Sequence, residues 1–185
     1  MTYTGRPSPY KQHWIHRPLE GHEEINVVFF RGTSLDALTR ALLAERRLPL
    51  AYARGATWGL VMHDMFGWND DDDYYDPDDY ERVSRASSGE LAVFVTEPCV
   101  AKVHGPEFAY YRDGRLVSGI GFESPSYGFG AEPELLAPAL TAAGLIGPDA
   151  EIDLGDDEER QVRAISDFFG LPELDLSETE LADPE

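Results

Sequence analysis

The feature that most restricts the fold is the run Glu107 to Tyr111, Asp113-Gly114, Arg115 to Phe122. Asp-Gly between two β-rich arms predicts a tight hairpin, because the favoured two-residue turn needs positive φ at both central positions. An antiparallel pair therefore sits in the second half of the chain. In the first half, Ile25 to Phe30 is a β-branched and aromatic run interrupted only by Asn26, the pattern of a strand buried on both faces. After Arg31-Gly32, Thr33 or Ser34 can cap a helix with Leu35, Leu38 and Leu42 on one face, ending near Arg46 before Pro49. Strands are further expected over 57–62, 91–96 and around 100–104, with a short helix over 80–86. A helix from Pro133 carries Leu135, Leu136, Leu140 and Ala143 and stops at Gly144. Another opens on Asp156 to Glu159, whose charges favour the positive end of the helix dipole, and buries Val162, Ile165, Phe168 and Phe169. No repeat or composition shift divides residues 25–170. The expectation is one α+β domain, a mostly antiparallel sheet with flanking helices, in a chain whose 185 residues suit a single core. Residues 1–24 read as an irregular arm that Trp14, Ile15 and Leu19 can dock, and 171–185 as an acidic tail adding at most one further helical turn.

Charge separates this body from its surroundings. Residues 69–81 hold eight acids and no base, and residues 149–185 hold fourteen acids against Arg160 and Arg163. These segments contribute −8 and −12, the whole of the net −20, so the remainder balances at thirteen acids and thirteen bases. Such fields repel nucleic-acid phosphates and anionic membranes and attract basic partners or cations. No apolar stretch suits a signal peptide or a membrane span, and a lone Cys99 makes no internal disulfide, so the expected location is the cytoplasm. Thirteen of the fifteen basic residues are Arg, in keeping with a bacterial genome rich in GC.

The succession Val27-Val28-Phe29-Phe30-Arg31-Gly32, a leucine helix, Trp58-Gly59-Leu60-Val61, Ser88-Gly89-Glu90 and Phe108-Ala109-Tyr110-Tyr111-Arg112-Asp113-Gly114 resembles an uncharacterised family of actinobacterial domains of unknown function. The likeness spans about residues 24–175. It implies the same strand, helix, hairpin and closing-helix order and transfers no catalytic residue. The acidic tract and the long tail depart from that pattern.

Several constellations bear on chemistry. Arg31, with the N–H groups that follow it at Thr33 and Ser34, can form an anion site at a helix start, or cap the helix while Arg31 pairs a carboxylate. Arg31, Ser124-x-Ser126 and Glu132-x-Glu134 resemble the Arg, Ser-x-Ser, Glu-x-Glu order of mono-ADP-ribosyltransferases, which would imply a nucleotide- or NAD-using transferase. Pro125 and Pro133 split both short motifs, and their spacing is too tight for that family. Asp70, Asp72, Asp76, Asp78 and Glu81 follow an EF-hand count, which would make a weak calcium-responsive module, but Tyr75 occupies the turn-glycine position. His13, His16, His22 and His63 have no zinc spacing, and Cys99 and His104 fall on opposite faces of an extended segment. No metal, cofactor or catalytic residue is therefore assigned.

What remains is an acidic and aromatic surface made of Trp68, Asp70, Asp71, Asp72, Asp73, Tyr74, Tyr75, Asp76, Asp78, Asp79 and Tyr80. Aromatic rings supply rigid contact area and carboxylates steer a basic partner. The expected function is non-enzymatic binding of a basic protein, in the manner of an immunity protein or a nucleic-acid mimic, with no direct contact to nucleic acid or membrane.

Overall fold

A computed structural model describes residues 13–16, 18–19, 22, 25–64, 78–96, 106–150, 157–174 and 180–181. Its elements run β1 (Ile25–Arg31), α1 (Leu35–Ala44), β2 (Pro49–Ala53), β3 (Gly59–Asp64), α2 (Asp78–Ser87), β4 (Glu90–Val95), β5 (Glu107–Arg112), β6 (Arg115–Gly121), β7 (Gly128–Phe129), α3 (Ala137–Ala142), α4 (Asp157–Phe169) and β8 (Glu180–Leu181). The strands form one sheet in the order β7-β6-β5-β4-β1-β3-β2-β8, and each neighbouring pair is antiparallel. The α+β architecture thus stands, with β1 near the middle as its apolar run requires.

Period-two alternation divides the core between the two faces of the sheet. Ile25, Val27 and Phe29 of β1 face a cluster that includes Leu136 and Leu140, Val162 and Ile165 of α4, and Ile15 of the arm. Val28 and Phe30 face Leu38, Ala41 and Leu42 of α1 and Val83 of α2. A helical layer therefore covers each side. The arm is part of the core: Ile15 is wholly buried and the Trp14 ring meets Phe94 edge-on at 5.2 Å.

Local signals explain the element ends. Ser34 accepts a hydrogen bond from the Ala37 N–H at 3.1 Å, capping α1. Asp113 and Gly114 both have positive φ, as the two-residue hairpin demands. Gly144, at φ +68°, ends α3 while Leu145 N–H donates to the Leu140 carbonyl at 2.9 Å, a glycine-terminated helix end.

Four expectations are corrected. The strand expected over 57–62 is β3, Gly59–Asp64, and it is preceded by an unanticipated β2 whose Pro49 start and bulge weaken the strand signal. The helix expected from Pro133 begins only at Ala137, because Pro138 fits the first turn and not a helix interior. The short helix expected over 80–86 is longer, α2 starting at Asp78, so the end of the acidic tract is helical. The tail adds a strand instead of a helical turn: Glu180 and Leu181 pair with Tyr52 and Ala51 at the outer side of β2. The strand expected around 100–104, with Cys99 and His104, lies outside the described residues. No helix among the described residues is long and apolar enough to cross a membrane.

Candidate functional site

The acidic tract, 69–81, follows β3, which ends at Asp64, and its last residues form the start of α2 at Asp78. β1 and β3 are paired so that Asn26 stands opposite His63, and Tyr80 of α2 lies over both. Asn26 Nδ2 donates to the Tyr80 hydroxyl at 2.6 Å. The hydroxyl is 2.7 Å from His63 Nε2, and His63 Nδ1 is 2.6 Å from the Asp64 carbonyl oxygen. Since a carbonyl only accepts, Nδ1 carries the imidazole proton, Nε2 is the acceptor and Tyr80 donates to it. The chain Asn26 to Tyr80 to His63 to Asp64 therefore has one direction and a neutral histidine. Burial agrees with this, holding His63 down to about 4 and raising the Tyr80 phenol above its ordinary value. Asn26 Oδ1 is buried with no hydrogen-bond partner among the described residues.

A charged layer lies beside this chain. Arg47 Nη2 donates to Asp79 Oδ2 at 2.7 Å, Arg82 donates to Asp79 Oδ1, and Arg82 Nε donates to Glu45 Oε2 at 3.0 Å. The end of α1 and the turn after it are thereby tied to the first turn of α2. Glu81 Oε1 accepts from the Leu116 N–H at 2.8 Å, joining the same turn to β6.

These contacts revise the expected binding surface. Asp79 and Tyr80 are buried and spent on holding α2, and the Glu81 carboxylate is occupied. They hold the first turn of α2 in place. Asp78 opens α2. Trp68, Asp70, Asp71, Asp72, Asp73, Tyr74, Tyr75 and Asp76 lie outside the described residues. No group of three metal-ligating side chains occurs among the described residues, and Asp70, Asp72 and Asp76 of the EF-hand count lie outside them.

A second polar cluster sits at the opposite rim, where β1 ends. Arg31 Nε and Nη2 donate to Glu90 Oε2 at 3.1 and 2.8 Å, the Tyr110 hydroxyl donates to the same carboxylate, and the guanidinium lies 4.4 Å from the Trp58 ring. Burial pushes the Glu90 carboxyl upward, but hydrogen bonds from Arg31 and Tyr110 outweigh it and hold the group below its ordinary value. Burial and that hydrogen bond push Tyr110 up to about 12. The Thr33 hydroxyl donates to the Ser87 carbonyl at 2.7 Å and Ser34 caps α1, while the guanidinium expected at an anion site pairs with Glu90.

Nor does the transferase pattern converge. β1 and β6 are three strands apart, about 14 Å at ordinary inter-strand spacing. Ser124 follows β6 at the rim away from Arg31, because β6 starts in the hairpin beside Arg112 and runs to Gly121 opposite Glu107. Glu132 N–H donates to the Val117 carbonyl of β6, keeping it on that distant edge. Of the remaining histidines, His16 lies 3.3 Å from Glu158 and pins the arm to α4, while His13 stacks on Trp14.

Sequence reasoning missed the Asn26, His63 and Arg47 anchors. One signal was available: a single amide inside the apolar run Ile25 to Phe30 needs a buried partner.

No protein-family model matches the chain, and neither the curated proteins nor the solved structures contain a match. The resemblance to actinobacterial domains rests on the sequence motifs.

Proposed function

We propose that this protein is a non-enzymatic binding module whose acidic, aromatic tract engages a basic protein, as an immunity protein or a nucleic-acid mimic does. One observation carries this reading: the C-terminal end of the tract, Asp79 to Glu81, is held by polar contacts to β3, the turn after α1, and β6. Tyr80 joins Asn26 and His63, the imidazole reaching the Asp64 carbonyl at the end of β3; Asp79 accepts from Arg47 and Arg82; and Glu81 accepts from the Leu116 N–H of β6. Buried polar groups cost free energy unless satisfied, so such an anchor suits a loop whose placement matters. Between Asp64 and Asp79 stand Asp70 to Asp73 and Asp76 with Trp68, Tyr74 and Tyr75, a composition that steers and then grips a cationic surface.

The test is calorimetry against purified basic proteins, beginning with those encoded beside its gene. Replacing Asp70 to Asp73 together by Asn is expected to weaken the tightest complex by at least about tenfold, given ~0.3–1 kcal/mol for each rim charge. Replacing Glu132 and Glu134 by Gln, exposed carboxylates on the far edge, should leave affinity unchanged. If no basic protein binds, or both variants behave alike, the reading fails.

A further inference from the structure

The α1 and α2 pair sits over the centre of the sheet and leaves a groove beside β2. Leu35, Asp36, Thr39 and Arg40 of α1 form one wall. Pro49, Tyr52, Arg54 and Val61 form the floor and far side, around a volume of about 430 Å³. Tyr52 and Val61 are directly paired across β2 and β3, so both side chains rise on the same face of the sheet. The volume falls in the range of small-molecule sites, about 300–1,000 Å³.

Charge gives this groove its meaning. The chain has 35 acids against 15 Lys and Arg, and most of the described arginines near the core are committed: Arg31 to Glu90, Arg47 and Arg82 to Asp79, Arg160 to Asp157. Arg46, Arg112, Arg115 and Arg163 are also exposed, but elsewhere; what sets Arg40 and Arg54 apart is the groove they share. Both are exposed, both line the same groove, and neither has a carboxylate or hydrogen-bond partner among the described residues. Two guanidiniums in the lining of one groove of an acidic protein favour an anionic ligand.

Asp36, also in the lining, narrows the class. A carboxylate repels a bare inorganic anion but accepts hydrogen bonds from hydroxyl groups. The Thr39 hydroxyl adds a second polar contact, and Leu35, Pro49 and the Tyr52 ring offer an apolar bed for a flat body, with Val61 buried beneath. We propose that the groove between α1 and β2 binds a nucleoside monophosphate, its phosphate on Arg40 and Arg54, its ribose hydroxyls toward Asp36, and its base against Tyr52 and Leu35. This site is separate from the acidic tract, and its failure would leave the protein-binding proposal untouched.

Calorimetry with AMP, glucose 6-phosphate and inorganic phosphate decides it. Saturable AMP binding at submillimolar concentration is expected, at least tenfold tighter than either other probe. Arg40→Gln and Arg54→Gln, at exposed positions and to be checked for native circular dichroism, should each weaken AMP at least tenfold, and Asp36→Ala should narrow the preference for AMP over inorganic phosphate. The proposal is overturned if AMP fails to bind at millimolar concentration, or if both arginine variants bind as wild type does. Equal affinity for inorganic phosphate, meaning an adventitious ion only, or a preference for glucose 6-phosphate overturns it as well.

Discussion

The two polar clusters on opposite rims of the sheet use similar groups in different surroundings. At the root of the acidic tract, the Arg47 and Asp79 side chains are only 10% and 12% exposed, and they adjoin a buried Asn26, Tyr80 and His63 chain. At the end of β1, Arg31 and Glu90 remain 37% and 28% exposed, with water able to replace either partner. A buried pair is strongly destabilising to break and contributes little relative to an apolar substitute, whereas an exposed pair is worth little either way. The difference shows which cluster holds its surroundings in place. The rim carrying the acidic tract is fixed by groups that cannot be rehydrated without opening α2, and the Arg31 rim is an ordinary amphipathic end of the sheet.

The contrast can be broken by mutation, beginning with its largest consequence. Asp79→Ala removes a buried carboxylate that accepts from both Arg47 and Arg82 and should cost about 3–5 kcal/mol in urea unfolding. A loss no greater than that of Glu90→Gln would erase the distinction. Next comes pH. His63 is neutral when folded, with its pKa lowered from 6.5 to about 4, so the unfolded chain binds more protons between those values and stability falls as pH falls through that window. By pH 5 the deficit should reach about 2 kcal/mol relative to pH 8. His63→Gln removes this component while leaving the His13 and carboxylate titrations in place, so the wild-type curve should be the steeper of the two. Parallel curves would mean that the imidazole is not held neutral. The smallest effect belongs to the open cluster, where Glu90→Gln should change stability by less than about 1 kcal/mol, diminishing further in salt.

Much of the fold was legible in sequence because its signals are local. The Asp113-Gly114 turn, the Ser34 cap, the Gly144 helix end and the apolar alternation of Ile25 to Phe30 each depend on neighbours in the chain. What escaped depends on distant residues. β2 has only Leu50, Ala51 and Tyr52 between a proline and Ala53, and becomes a strand because β3 and β8 flank it. The role of Asp79 could not be read from a run of acids, since the arginine that buries it lies 32 residues earlier. Composition marked the tract as acidic and aromatic, but not that Asp79 and Tyr80 at its end are buried against the sheet and the turn after α1. The groove at Arg40 and Arg54 was equally invisible, because one residue belongs to a helix and the other follows a strand that the sequence conceals.

The central claim is that Asp70 to Asp73 carry the attraction for a basic protein. Its most direct measurement is the salt dependence of affinity for the tightest such partner, comparing wild type with the variant in which these four are Asn. The account predicts a steep loss of wild-type affinity between low and physiological salt and a much shallower one for the variant, the two converging as ionic strength rises. Equal slopes would contradict it, because the attraction would then arise elsewhere on the molecule.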